Sequence, residues 1–121
     1  MNKIEIPIHP KPAPRITHQG RFTKRANSYY KYKNAIRLFC KANNFSLSEK
    51  VRITFYIPVP KSVTKKERII RLGNPHKQKP DLDNLCKGVW DSLAVEDGYI
   101  HYAILQKIWS ETGKIVIENV V

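Results

Sequence analysis

The chain has 121 residues, enough for one domain with a single core and too few for two. Its 22 Lys and Arg against 10 Asp and Glu give a formal net charge of +12, a balance typical of proteins that meet polyanions, with nucleic acid the first candidate. The apolar residues come in short patterned blocks, none near the roughly 18 needed to cross a bilayer, and the opening MNKIEIPIHP lacks the apolar core of a signal peptide. A soluble, cytoplasmic protein is expected, and no basic helix has the broad apolar face that would attach it to a membrane.

In KIEIPIHP, Ile4, Ile6 and Ile8 alternate with polar neighbours, the period of a half-buried strand, and Pro7 points to a sheet edge. Residues from about 10 to 26 read as an irregular basic arm, with Pro10, Pro12, Pro14 and Gly20 among Arg15, Arg21, Lys24 and Arg25. From about Asn27 the period becomes helical: Tyr29, Tyr32, Ile36, Phe39 and Cys40 recur at spacings of three and four, until Asn43 and Asn44 end the helix. A second strand follows, with Val51, Ile53, Phe55 and Ile57 on one side, Arg52, Thr54 and Tyr56 on the other, and Pro58 and Pro60 closing it.

Residues from about 61 to 79 carry seven Lys or Arg and one Glu, with Gly73 and Pro75 breaking any long helix; a short helix around 64 to 72 fits. A basic loop of that length inside a compact domain reads as functional. A second main helix is expected from about Leu82 to Ala94. Its apolar stripe is Leu82, Leu85, Cys86, Val89 and Leu93, and Asp83, Asn84, Lys87 and Asp91 gather opposite. IHYAILQKIW and KIVIENVV, joined by the turn residues of SETGK, suggest a terminal hairpin. The expected fold is α+β, a mixed sheet of about four or five strands with two main helices on one face, all in one domain spanning residues 1–121. Cys40 and Cys86 fall inside predicted helices without metal-ligand spacing and read as reduced, buried thiols.

KPDLDNLCKGVWDSLAVEDG, residues 79–98, holds five of the ten acidic side chains. Taken alone, Asp81 after Pro80 reads as a helix cap, a role in which a carboxylate stabilises by roughly 0.3–2 kcal/mol. A turn at Gly98 would bring Glu96 or Asp97 back toward Asp81 and Asp83. Two carboxylates about 4 Å apart repel by about 4 kcal/mol at an effective dielectric of 20, so such a cluster needs protons or cations. The oxygen-rich, thiol-free set Asp81, Asp83 and Asp97 suits a hard divalent ion, Mg²⁺ foremost with Mn²⁺ as substitute. Lys87, one turn beyond Asp83, is placed to assist a phosphate, or to form a simple ion pair with Asp83 or Asp91. Carboxylate-held metal beside a basic surface is the requirement for phosphodiester hydrolysis. A nucleic-acid binder without catalysis and a basic RNA-associated structural protein stand as alternatives.

KPDLDNLCKGVWDSLA followed by ED resembles the signature of the RusA-type Holliday junction resolvases: D-x-D-N-L-x-K, then D-x-L, then an acidic pair. IPIHPKPAPR, GRFT, FYIPVPKS and RLGNPHKQKPD have counterparts in order, so the resemblance covers most of the chain. It departs at Glu96, where two aspartates are usual, and at Tyr99, where an amide is common. It implies a homodimeric endodeoxyribonuclease that cuts opposed strands of branched DNA in DNA recombination and repair, with no small-molecule cofactor. Asp81, Asp83 and Asp97 then match the metal-binding acids and Lys87 the motif lysine, with Asn84, Asp91 and Glu96 as supporting groups around them. Arg15, Arg21, Lys24 and Arg25 in the arm and Lys65, Lys66, Arg68 and Arg71 in the basic loop are the candidate phosphate contacts. Phe22, Tyr29 and Tyr30 are candidates to stack on opened bases, although an aromatic at helical spacing is more often core.

Overall fold

The computed structural model describes residues 2–14, 23–93 and 98–120. In chain order the elements are β1 (Lys3–Ile6), α1 (Lys24–Ala42), β2 (Lys50–Pro58), α2 (Lys65–Arg71), α3 (Leu82–Ser92), β3 (Tyr102–Ser110) and β4 (Lys114–Asn119). The strands form one mixed sheet in the order β1-β4-β2-β3. β4 is antiparallel to both of its neighbours, and β3 runs parallel to β2. The architecture is α+β, as the patterning implied.

β4 and β2 are the two central strands, and the inward positions of β2, Val51, Ile53 and Phe55, are fully buried. Ile4 and Ile6 from β1 and Ile115 and Ile117 from β4 extend this inner face. α1 and α3 pack on each other and cover it, contributing Tyr29, Tyr32, Ile36 and Cys40 from α1 and Leu85 and Val89 from α3. Each such side chain stabilises the fold by about 1.5–3 kcal/mol on burial. The expectation of two main helices on one face is met. The third helix, α2, contributes none of its residues to the core.

Several boundaries differ from the sequence reading. α1 begins at Lys24, three residues before the predicted onset, because the Thr23 hydroxyl accepts from the Ala26 N–H at 3.2 Å and caps it. Lys24 and Arg25 therefore belong to the first helical turn, not to a loose arm. The far end is as expected, with Asn43 as the cap and Asn44 at φ 54°.

The predicted terminal hairpin does not form. β3 and β4 follow one another through residues 111–113, yet β2 lies between them and pairs with both. Four Cα steps reach about 13 Å, enough to cross the two strand spacings of about 10 Å that a third strand demands. Local turn chemistry reports the reversal and is blind to what inserts into it. The crossing is tight: a Cβ on Gly113 would stand 2.5 Å from the His9 ring and 2.9 Å from the His9 Cα.

β1 and β2 both run antiparallel to β4, so the C-terminal ends of β1, β2 and β3 lie at one end of the sheet. α2 and the start of α3 are tied to this end. The 61–79 stretch is thus not a free loop: it holds α2, and residues 73–76 then pair along the outer edge of β3. Gly73 donates to the Trp109 carbonyl, Trp109 to Asn74 and His76 to Lys107, each at 3.0 Å, and Pro75 bridges Ile108. An exposed strand edge is thereby covered. Among the described residues no helix is long and apolar enough to cross a membrane, and Cys40 and Cys86 are free and buried.

Candidate active site

The head of α3 presents the first two acids of the motif. Asp81 occupies the N-cap in extended conformation, and its carbonyl accepts from the Leu85 N–H at 3.1 Å. Its side chain makes no capping hydrogen bond. The carboxylate is thus not used in the role that Asp81 suggests when read alone. Asp83 sits in the first helical turn, and both acids are exposed. Among the described residues neither forms an ion pair. Two carboxylates left open to solvent at a helix N-terminus, where partial positive charge offsets some of their repulsion, are a donor set of the right chemistry for a hard divalent cation.

The burial of α3 follows the predicted stripe. Leu85, Cys86, Gly88, Val89 and Ser92 are buried, while Asp83, Lys87 and Asp91 stay exposed. Lys87 lies one turn from Asp83 and, among the described residues, pairs with no carboxylate; the simple ion pair with Asp83 or Asp91 is not formed. Burial pushes the Cys86 thiol up to about 12, reinforced by the negative charge of Asp83. Cys40 is raised by burial to about 11. Neither thiol is a ready nucleophile or metal ligand.

Three long-range contacts hold this helix. Lys107, at an inward position of β3, donates its Nζ to the carbonyls of Gln78 at 2.7 Å and Pro80 at 2.8 Å, fixing the approach to Asp81. The Ala13 N–H donates to the Asn84 carbonyl at 3.1 Å, so the stretch after β1 crosses the helix near its head. The crossing is close at Gly88, where a Cβ would lie 3.1 Å from the Lys11 carbonyl oxygen. Finally, the Tyr29 hydroxyl donates to Asp91 Oδ2 at 2.9 Å. Burial, then this bond and the Asp91 charge, hold the Tyr29 phenol above its ordinary range. Asp91 stands eight residues beyond Asp83, about 12 Å along the axis, so it ties α3 to α1 and does not share an ion with Asp83.

Below this edge His76 is buried, its ring 4.3 Å from that of Trp109, and its Nδ1 lacks a hydrogen-bond partner. Desolvation, aided by the nearby Lys107 charge, lowers its pKa. The ring serves as a neutral packing element under the strip that leads to Asp81.

The remaining sequence candidates divide. Lys24 and Arg25 are exposed on the first turn of α1, and Lys65 and Lys66 are exposed on α2. Arg68 and Arg71 are engaged within the fold. Arg68 pairs with Glu111 at 3.3 Å and donates to the Pro60 carbonyl, and Arg71 pairs with Glu67 at 3.0 Å and lies 5.0 Å over the Trp109 ring. Tyr29 is core, whereas Tyr30 is exposed, with Lys33 over its ring at 5.2 Å. Arg15, Arg21, Phe22, Glu96 and Asp97 lie outside the described residues. The described residues that flank 94–97 sit at the helix end opposite Asp81: Leu93 and Tyr99 line one hollow with Phe45 and Leu47, and α3 is about 16 Å long. Among the described residues no three His, Cys, Asp or Glu side chains are grouped to hold a metal.

Sequence reasoning missed Lys107 and Tyr29 as supports. For Lys107 a signal exists, since Ala103, Leu105, Lys107 and Trp109 share one face of β3, and a lysine there must find carbonyls. For Tyr29 the partner is 62 residues away and no local pattern announces it.

The described residues thus form a basic α+β domain that sets two unpaired acids and a lysine on the open face of one helix. Residues 5–118 match the family described as endodeoxyribonuclease RusA, nearly the whole length, and the chain belongs to that family. The match supports Holliday junction resolvase chemistry in DNA recombination as the family's activity. No curated protein matches the sequence.

Proposed function

We propose that this protein is a Mg²⁺-dependent endodeoxyribonuclease that resolves four-way DNA junctions, acting as a homodimer with one site for each of two opposed strands. The observation that carries the reading is the state of the motif acids: Asp81 and Asp83 stand exposed, unpaired and not used for capping, in a chain of net charge +12. Neither carboxylate is engaged in a cap or, among the described residues, in an ion pair, which leaves both open to a hard cation.

In this reading Asp81 and Asp83 hold the cation and Asp97 completes the set. Bound there, a divalent ion supplies charge neutralisation at the scissile phosphate and a water of lowered pKa; Mn²⁺ substitutes for it. Lys87 binds a phosphate oxygen as charge develops there. Lys107 keeps the carbonyls of residues 78 and 80 fixed, so the Asp81 carboxylate meets the substrate without reorganisation. Lys24, Arg25, Lys65 and Lys66, with Arg15 and Arg21 from the arm, draw in the DNA backbone. Binding then weakens steeply as salt rises.

The test is Asp83→Asn on a synthetic four-way junction. Cleavage in Mg²⁺ should fall at least about 100-fold while junction binding persists. Undiminished cutting overturns the assignment, and a wild-type protein that binds junctions yet never cuts in Mg²⁺ or Mn²⁺ identifies a binding protein without catalysis.

A further inference from the structure

α2 is built the wrong way round for a helix on a protein surface. At 100° per residue, Lys65, Lys66, Ile69 and Ile70 fall within one arc of about 140°, and Glu67, Arg68 and Arg71 fall on the other side. The exposed arc is the one that carries the isoleucines: Ile69 is 74% and Ile70 55% exposed. The arginines face inward, Arg68 onto Glu111 and the Pro60 carbonyl, Arg71 onto Glu67 and the Trp109 ring. A seven-residue helix is too short to persist alone, so these ties and the Thr64 cap on the Glu67 N–H at 3.1 Å hold it in place. The fold thus fastens a helix by its cations and presents its apolar side chains to solvent, flanked by two lysines that no carboxylate in the described residues neutralises.

We propose that Ile69 and Ile70 form an apolar wedge that packs against unstacked bases at the branch point of a DNA junction, with Lys65 and Lys66 on the adjoining phosphates. The proposal rests on the junction-directed reading above. Its chemistry matches a ligand with anionic strands and apolar base faces side by side, and branched DNA offers both where stacking is interrupted. Placement agrees, since α2 and the head of α3 are fastened at the same end of the sheet. A second copy fits poorly, because an isologous contact through this arc brings Lys65 and Lys66 against their own counterparts. Two isoleucines on seven residues are also too little apolar surface to seat a helix in a bilayer interface.

The experiment compares wild type with Ile69→Ser/Ile70→Ser on a four-way junction carrying 2-aminopurine at the branch point, with Ca²⁺ replacing Mg²⁺ for binding. Wild type should raise the fluorescence several-fold. The double variant should bind within about threefold, lose the rise, and cut in Mg²⁺ about tenfold more slowly. Its thermal midpoint should stay at the wild-type value, because neither side chain is buried. The same fluorescence rise in the double variant overturns the wedge. So does a fall in its sedimenting mass, which would assign the patch to a second copy, or loss of a wild-type affinity for anionic vesicles. Wild-type cutting of junctions with a signal indifferent to Ile69 and Ile70 removes the wedge and leaves the nuclease reading intact. A wild type that ignores junctions altogether removes both.

Discussion

α2 and the head of α3 are fastened at the same end of the sheet, and the two helices solve opposite problems. α3 turns Leu85, Cys86 and Val89 inward and its acids and Lys87 outward, so packing energy holds the helix that bears the candidate chemistry. α2 turns its arginines inward and its isoleucines outward, so it is held by ion pairs, a cap and a cation over an aromatic ring. Burial of apolar surface is the stronger fastening. Exposed or half-exposed ion pairs contribute about 0–1 kcal/mol each. The contrast shows that position in a helical period tells where a side chain points only if the apolar face is the buried one, and α2 is the exception.

The contrast can be broken first by mutation of the packed stripe. Leu85→Ala should destabilise the protein by about 2–5 kcal/mol, because the void at a fully buried site cannot collapse completely. Chemical denaturation reads this directly; a loss below about 1 kcal/mol would mean that α3 is not held by its core face. Tyr29→Phe comes next. It removes one hydrogen bond to Asp91 across the α1–α3 contact and should cost about 1 kcal/mol, since Asp91 is exposed and rehydrates. Junction cleavage should persist in this variant, which separates Asp91 as a tether from Asp83 as a candidate ligand.

On the α2 side, the strip that leads from it to Asp81 should respond to acid. The His76 pKa is lowered in the fold, so the unfolded chain binds its proton first. Stability from keeping His76 neutral is complete above its ordinary value of about 6.5 and is lost as pH falls through the lower folded value. Denaturation midpoints of wild type and His76→Phe should therefore diverge progressively below about pH 6.5, with wild type the more acid-sensitive; parallel curves would show that the ring is solvated. The smallest effect is expected at the exposed arc: Ile69→Ala should change stability by no more than about 0.5 kcal/mol. A larger loss would show that the face is covered in solution.

Much was open to inspection in the residues themselves. The 3.6-residue period separated Asp83, Lys87 and Asp91 from Leu85, Cys86 and Val89, and alternation found β1 and β2. The DLDNLCK run carried the family resemblance, which the match over residues 5–118 sustains. Such features depend on neighbours within a turn or a strand, and local order preserves them. What lay beyond reach was set by partners distant in sequence. SETGK announces a chain reversal, but β2, some 55 residues earlier, enters between the two strands and prevents a hairpin.

The sequence by itself determined that this is a basic α+β domain with a motif of acids on the open side of one helix, because periodicity, turn chemistry and charge are written in adjacent residues. Only the tertiary structure decided that Asp81 leaves its carboxylate free, that Lys107 grips the residues leading into α3, and that Asp91 is engaged by Tyr29. It also decided that α2 shows its isoleucines to solvent. Each of these is a competition for hydrogen bonds or buried area among groups tens of residues apart, and which group wins is settled only when the chain has closed around them.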